Sequence, residues 1–180
     1  DTLTLAATSD DLNSAVDAQL TALEAVSASA ATVGVLIDLS SQAEGFTLTG
    51  GSGADSFTGG LGADSITGGS GNDVIYGFLG ADTVVGGVGA ADTIILTATS
   101  NTLNAAADTQ IATVEAVDAS SATAGVTITL SGQTTTTEGF SIFGGSGADS
   151  LTGSSGADSI SGGAGNDTIA GFVGADTING

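Results

Sequence analysis

Nine aspartates keep a fixed beat along this chain: Asp55, Asp64, Asp73, Asp82 and Asp92, then Asp149, Asp158, Asp167 and Asp176. Each but Asp92, which an extra alanine places seventh, stands sixth in a phrase, nine residues long, with glycine mostly at its first, second and fourth places and a large apolar residue at its eighth. Over 50–92 the phrase reads GGSGADSFT, GGLGADSIT, GGSGNDVIY, GFLGADTVV and GGVGAAD. Over 144–179 it reads GGSGADSLT, GSSGADSIS, GGAGNDTIA and GFVGADTIN. Carboxylates and the carbonyls of glycine turns are hard oxygen donors. They suit calcium and offer nothing soft enough for zinc or copper.

Other chemistry has little to draw on. The chain contains no histidine, cysteine or lysine, so the usual bases and nucleophiles are missing. Paired carboxylates can serve glycoside hydrolysis, but every close pair the repeat creates is explained by cation binding, and no enzyme is expected. Asp38, Glu24 and Glu115 sit beside expected strands as a solvated face or an accessory ion site. Asp10, Asp11 and Asp17 read first as caps and solubilising charges, with a further calcium site as the alternative.

The elements that position the aspartates follow from the glycines. Two or three per phrase exclude a helix and require tight turns. The triplets Ser56-Phe57-Thr58, Ser65-Ile66-Thr67 and Val74-Ile75-Tyr76 place one apolar side chain between outward neighbours, as in short strands. Turn and strand every nine residues wind into a coil with 18 residues per rung, parallel strands lying ~4.8 Å apart. Asp55, Asp73 and Asp92 then stack on one edge and Asp64 with Asp82 on the other. Neighbouring carboxylates at ~5 Å repel by roughly 3 kcal/mol at an effective dielectric near ~20. One buried side chain per half-turn does not offset the ordering of nine residues. The coil needs cations.

The chain supplies none of its own: 20 acidic residues face no lysine, arginine or histidine. Nucleic acid would be repelled. Disulfides are excluded by the absence of cysteine. No apolar run is long enough to span a bilayer, so membrane insertion is not expected.

The phrase resembles the RTX (repeats-in-toxin) nonapeptide, of the kind found in surface-layer proteins and adhesins exported by type I secretion. The resemblance implies an all-β fold, a right-handed parallel β-roll or β-solenoid that binds several calcium ions. It places the ions between turns one rung apart, held by the nine aspartates and by carbonyls of the glycine turns. Those glycines are Gly50, Gly53, Gly59, Gly62, Gly68, Gly71, Gly77, Gly80, Gly86 and Gly89 in the first array. In the second they are Gly144, Gly147, Gly153, Gly156, Gly162, Gly165, Gly171 and Gly174. Phe78, Ser154 and Phe172 replace the second glycine, and those turns are expected to bind calcium less well. The resemblance further implies a secreted, extracellular protein.

The chain also repeats on a longer scale. DTLTL at 1–5 matches DTIIL at 92–96, Leu12-Asn13 matches Leu103-Asn104, and Glu44-Gly45-Phe46 matches Glu138-Gly139-Phe140 after an insertion in the threonine run 134–137. The expected organisation is a unit over 1–91 (irregular solenoid 1–49, nonapeptides 50–91) followed by a unit over 92–180 (92–143 and 144–180), an excerpt of a longer tandem array. Further strands are expected around 23–29, 35–39 and 46–49, with counterparts at 114–120, 126–130 and 140–143. Leu12, Val16 and Leu20 are spaced for one face of a short helix capped by Ser9 or Asp10, either protruding from the coil or plugging it. The ninth positions Thr58, Thr67, Tyr76 and Val85 form no regular threonine ladder. Phe78 and Phe172 read as a staple over the end of the core or as a lateral contact between arrays.

Two functions remain: an extracellular calcium-binding structural protein that assembles with further copies, or a folding and secretion module of an exported enzyme or toxin. Either way folding is coupled to the ion. In chelator the chain is expected to be expanded, and millimolar calcium to raise its β-sheet circular dichroism sharply. An identical signal under both conditions contradicts this.

Overall fold

The computed structural model describes every residue except Thr136, and of Asp11 the backbone alone. The expectations for Thr136 in the threonine run and for the Asp11 side chain lie outside the described residues. In chain order the first elements are β1 (Thr2–Thr4), α1 (Asp10–Asn13), a 3-10 turn (Asp17–Gln19), β2 (Ala25–Ser27), β3 (Leu36–Asp38) and β4 (Thr47–Thr49). The first nonapeptide array forms β5 (Ser56–Thr58), β6 (Ser65–Ser70), β7 (Val74–Tyr76) and β8 (Thr83–Val88). Then come β9 (Thr93–Ile95), α2 (Asn101–Asn104), β10 (Ile111–Ala112), β11 (Ala116–Asp118), β12 (Thr127–Thr129) and β13 (Ser141–Gly145). The second array closes with β14 (Ser150–Thr152), β15 (Ser159–Gly163), β16 (Thr168–Ala170) and β17 (Thr177–Asn179).

The strands coil into a parallel β-solenoid of about nine turns. One face is the sheet β1-β2-β4-β6-β8-β10, continued beyond α2 by β12-β14-β16, and the other is β3-β5-β7-β9-β11-β13-β15-β17. Within the repeats the register is the expected 18 residues, Phe57 opposite Ile75 and Ser65 opposite Thr83. The middle residue of each triplet points inward, and Phe57, Ile66, Ile75 and Val84 form part of one continuous buried core. Gly69 and Gly87 sit in register with φ of 111° and 116°, and a Cβ on Gly69 would strike the carbonyl oxygen of Gly51. Only glycine permits both the backbone angle and the approach.

Matching sequences land on opposite faces: β1 lies in one sheet and its counterpart β9 in the other. From β1 to β8 the chain lays down eight strands and one helical loop, an odd number of half-turns. Alternate repeats are likewise dealt to opposite faces, so the ninth positions fall into two rows, with Thr58 beside Tyr76 and Thr67 beside Val85, and form no regular threonine ladder. Sorted by face, the β1 side carries outward rows of Thr2, Ala25, Thr47, Ser65, Thr83 and Thr4, Ser27, Thr49, Thr67, Val85, rich in hydroxyls.

The helical segment is shorter than its spacing suggests. Ser9 caps α1 and Ser100 caps α2, each hydroxyl accepting an N–H three residues on. Each helix stops after one turn. Leu12 and Ala15 are buried whereas Val16 is 56% exposed, and Leu103 and Ala106 are buried whereas Ala107 is exposed. The reason is competition from neighbouring backbone. Asn13 donates from Nδ2 to Leu36 O and accepts from Asp38 N–H, and Asn104 does the same with Thr127 O and Thr129 N–H. Each asparagine stands in for a missing strand along β3 or β12, the outermost strand of its sheet. The segment therefore neither protrudes nor plugs; it covers a sheet edge.

Phe78 is a staple. It is fully buried, with Ser100 and Thr102 hydroxyls donating to its carbonyl oxygen, and so cannot make the lateral contact. Asn104→Ala removes two hydrogen bonds to β12, and a loss of about 1–2 kcal/mol is expected. Thermal melting in saturating calcium checks it, with exposed Asn101→Ala as the comparison. Equal shifts from the two changes would contradict the edge-covering role.

Candidate metal centre

The aspartates are positioned by the turn that precedes each strand, and all are buried except the half-buried Asp167 and Asp176. One oxygen of each is spoken for in a repeating way: it accepts the backbone N–H of a residue one rung earlier. Asp73 Oδ1 takes the Asp55 N–H at 2.7 Å, Asp92 Oδ1 the Asp73 N–H at 2.7 Å, and Asp82 Oδ1 the Asp64 N–H at 3.0 Å. Asp149 and Asp158 donate in the same sense to Asp167 and Asp176. The two expected stacks, Asp55–Asp73–Asp92 and Asp64–Asp82, are thus physical ladders.

The second oxygen divides the turns. In Asp55, Asp64, Asp149 and Asp158, Oδ2 accepts an N–H from its own turn. In Asp73, Asp92 and Asp176, Oδ2 is buried with no hydrogen-bond partner. An anionic oxygen withdrawn from water without a donor is strongly unfavourable unless a cation meets it. Space is reserved beside it as well. A Cβ on Gly68 would collide with Asp73 Oδ2 and with the Gly86 carbonyl oxygen of the next rung, and one on Gly50 with Asp55 Oδ2 and Gly68 O. Gly144 stands likewise between Asp149 Oδ2 and Gly162 O. Among the described residues no three acidic side chains converge on one point, so the remaining donors of any centre are backbone carbonyls. This oxygen set fits a hard divalent cation.

At Ser154, which replaces a glycine, both the amide and the hydroxyl donate to Asp158, occupying the carboxylate with protein donors. Of the other acids, Asp38 caps its own turn by accepting the Ser40 N–H, whereas Asp17 accepts the N–H of Ala43, 26 residues away. Glu115 was undervalued by its sequence. Its Oε2 accepts the Asp92 N–H at 2.7 Å and so continues the aspartate ladder into the irregular part, as Glu24 meets the amino group of Asp1. Ala22 and Thr113, at matching places, adopt φ of 65° and 50°. Thr113 aims its carbonyl oxygen at Gly86 and its hydroxyl accepts the Gly87 N–H. The matching Leu-Glu-Ala-Val and Val-Glu-Ala-Val segments were the only signal for these roles.

Burial pushes the Asp73 carboxyl up to about 6, with the charges of Asp55 and Asp92 adding to the rise and the Asp55 N–H opposing it. Burial also raises Asp82 to about 6, where Asp64 adds charge, and raises Asp64 itself.

A family model described as the RTX calcium-binding nonapeptide repeat matches residues 47–66, 58–91 and 152–180. The chain carries RTX calcium-binding nonapeptide repeats over 47–91 and 152–180. Its nonapeptide turns are calcium-binding repeats carried on a β-solenoid. No curated protein and no solved structure matches the chain. Among the described residues no helix is long and apolar enough to cross a membrane.

Asp73→Ala, in the middle of a ladder, is expected to lower calcium stoichiometry and stability more than Asp10→Ala, outside the repeats. Calorimetric titration reads both, and equal effects would contradict the placement of the centre. A pH test follows from the raised carboxyls. A carboxyl with a higher pKa folded than unfolded favours the fold when protonated, so its contribution is full below about 3.8 and lost as pH rises through about 6. In chelator, acidification from pH 7 to about 4.5 should therefore recover β-sheet signal. No recovery would contradict the burial of these groups.

Proposed function

We propose that this RTX solenoid is an extracellular structural repeat that folds and assembles when it meets calcium. The observation that carries the reading is the set of buried, unpartnered Oδ2 atoms of Asp73, Asp92 and Asp176 in turns of the calcium-binding repeat. Calcium, when bound, supplies the positive charge that the sequence lacks. The nine aspartates hold the ions with carbonyls of the turn glycines, several ions to a chain. The Oδ1 atoms fix each turn to the rung before it, and the first glycine of every turn but those of Gly77 and Gly171 keeps open the space its aspartate faces.

The location follows from affinity and charge. Extracellular calcium modules work at about 0.1–1 mM, far above cytosolic levels, so the chain stays unfolded inside a cell and folds on export. Two matching units, 1–91 and 92–180, joined without interruption of the core, suit a load-bearing element of a surface layer, matrix filament or adhesin stalk. The second reading, a secretion and folding module beside an exported enzyme or toxin, draws on the same calcium-coupled fold.

Chains carrying several copies of residues 1–180 are expected to form rods in calcium and to disperse in chelator under the electron microscope. Monodisperse globules in calcium would overturn the structural reading and favour the secretion module.

A further inference from the structure

In the turns of Asp55, Asp64, Asp149 and Asp158 the second residue (Gly51, Gly60, Gly145 or Ser154) donates its N–H to the carboxylate's Oδ2. The turn that ends the first array lacks this bond. Its second residue is Gly87, whose N–H goes instead to the hydroxyl of Thr113, one rung on, at 2.8 Å. The Thr113 hydroxyl donates in turn to Ala112 O, which holds it in place. Asp92, fully buried, is left with an Oδ2 that no described group of the protein meets. A Cβ on Gly86 would strike both Asp92 Oδ2 and the carbonyl oxygen of Thr113, as one on Gly68 would strike Asp73 Oδ2 and Gly86 O. Thr113 therefore stands where the array has a first glycine. Its φ of 50°, a backbone angle that β-branched residues rarely adopt, belongs to this turn. Two residues on, Glu115 Oε2 accepts the Asp92 N–H, as Asp92 Oδ1 accepts that of Asp73. Glu115 thus stands where the array has its aspartate.

We propose that Asp92, Glu115 and the main-chain carbonyl of Thr113 form a calcium site at the seam where the first array passes into the irregular part that follows it. Residues 113 and 115 lie outside the stretches that the nonapeptide family model matches. The proposal rests on the reading of the repeats as calcium-folded and adds to it a site that the nonapeptide phrase does not encode. Its protein donors are Asp92 Oδ2, Thr113 O and Glu115 Oε1, to which no described residue donates. Water reaching the half-buried Glu115 completes the roughly 6–8 oxygens that calcium takes. The chain has no basic side chain to neutralise the two carboxylates, so the charge must come from a cation. Thr113 has two parts here. Its carbonyl is a ligand, and its hydroxyl is a positioning group that keeps the Gly87 N–H away from Asp92 Oδ2. Where such donors stay available, as at Ser154, they occupy the carboxylate themselves. Because one rung of the site belongs to the array and the other does not, calcium bound there ties the folding of the irregular part to that of the array.

The test measures calcium bound to the 180-residue chain by flow dialysis, with circular dichroism as the check on folding. Glu115→Gln keeps an oxygen for the Asp92 N–H but removes the charge. It should lose a single ion, or bind that ion about 10–100-fold more weakly, while exposed Glu44→Gln binds as the unaltered chain does. Thr113→Ala frees the Gly87 N–H and should weaken the same ion by about 10–100-fold, and Thr113→Ser, which keeps the hydroxyl, should restore it. If Glu115→Gln does not fold even in saturating calcium, the Thr113 pair decides, since both of its members keep every carboxylate. Unchanged binding in a folded Glu115→Gln chain, or Thr113→Ala and Thr113→Ser chains that bind alike, overturns the seam site and leaves the calcium-folded reading standing. An unaltered chain that binds no calcium overturns both.

Discussion

A column of buried carboxylates, in a sequence without one basic side chain, is the constraint on which this solenoid depends. Each aspartate gives one oxygen to an amide of the preceding rung, and that bond is what holds successive turns in register. The same burial brings like charges together and leaves some second oxygens without a donor. Ladder and repulsion cannot be separated, because both come from the 18-residue spacing. The raised carboxyls of Asp73 and Asp82 register that tension: a proton relieves it in acid, and a divalent cation relieves it at neutral pH.

The remaining features follow from keeping the column continuous. Glycines stack so that carbonyls and carboxylates approach a common space. One inward side chain per half-turn fills the core within the repeats, and the irregular half-turns add more, Val35, Ile37 and Leu39 in one and Val126, Ile128 and Leu130 in its counterpart. Where the phrase lapses, other residues take over its work. Glu115 replaces an aspartate, and Asn13 and Asn104 replace a strand.

Much of this was legible in the sequence. Alternation in triplets such as Ser-Phe-Thr marks strands reliably because the strand period of two is local, and the constant interval between aspartates gives the register at once. The first short helix was misjudged at Val16. Helical spacing is also a local signal, whereas the bonds that end each helix come from strands over twenty residues away. The sequence left Phe78 between a staple and a lateral contact for the same reason, since what covers it is a segment beginning at Ser100. The sorting of threonines between faces needed the parity of half-turns, which depends on counting the irregular loop as one of them.

The most direct measurement is a crystal structure of the chain grown in calcium, with ions located by their anomalous scattering. The account places ions about 2.3–2.6 Å from the Oδ2 atoms of Asp73, Asp92 and Asp176, shared with glycine carbonyls of the adjoining rung. Ions bound elsewhere on the chain, with those three oxygens meeting only water or protein donors, would contradict it.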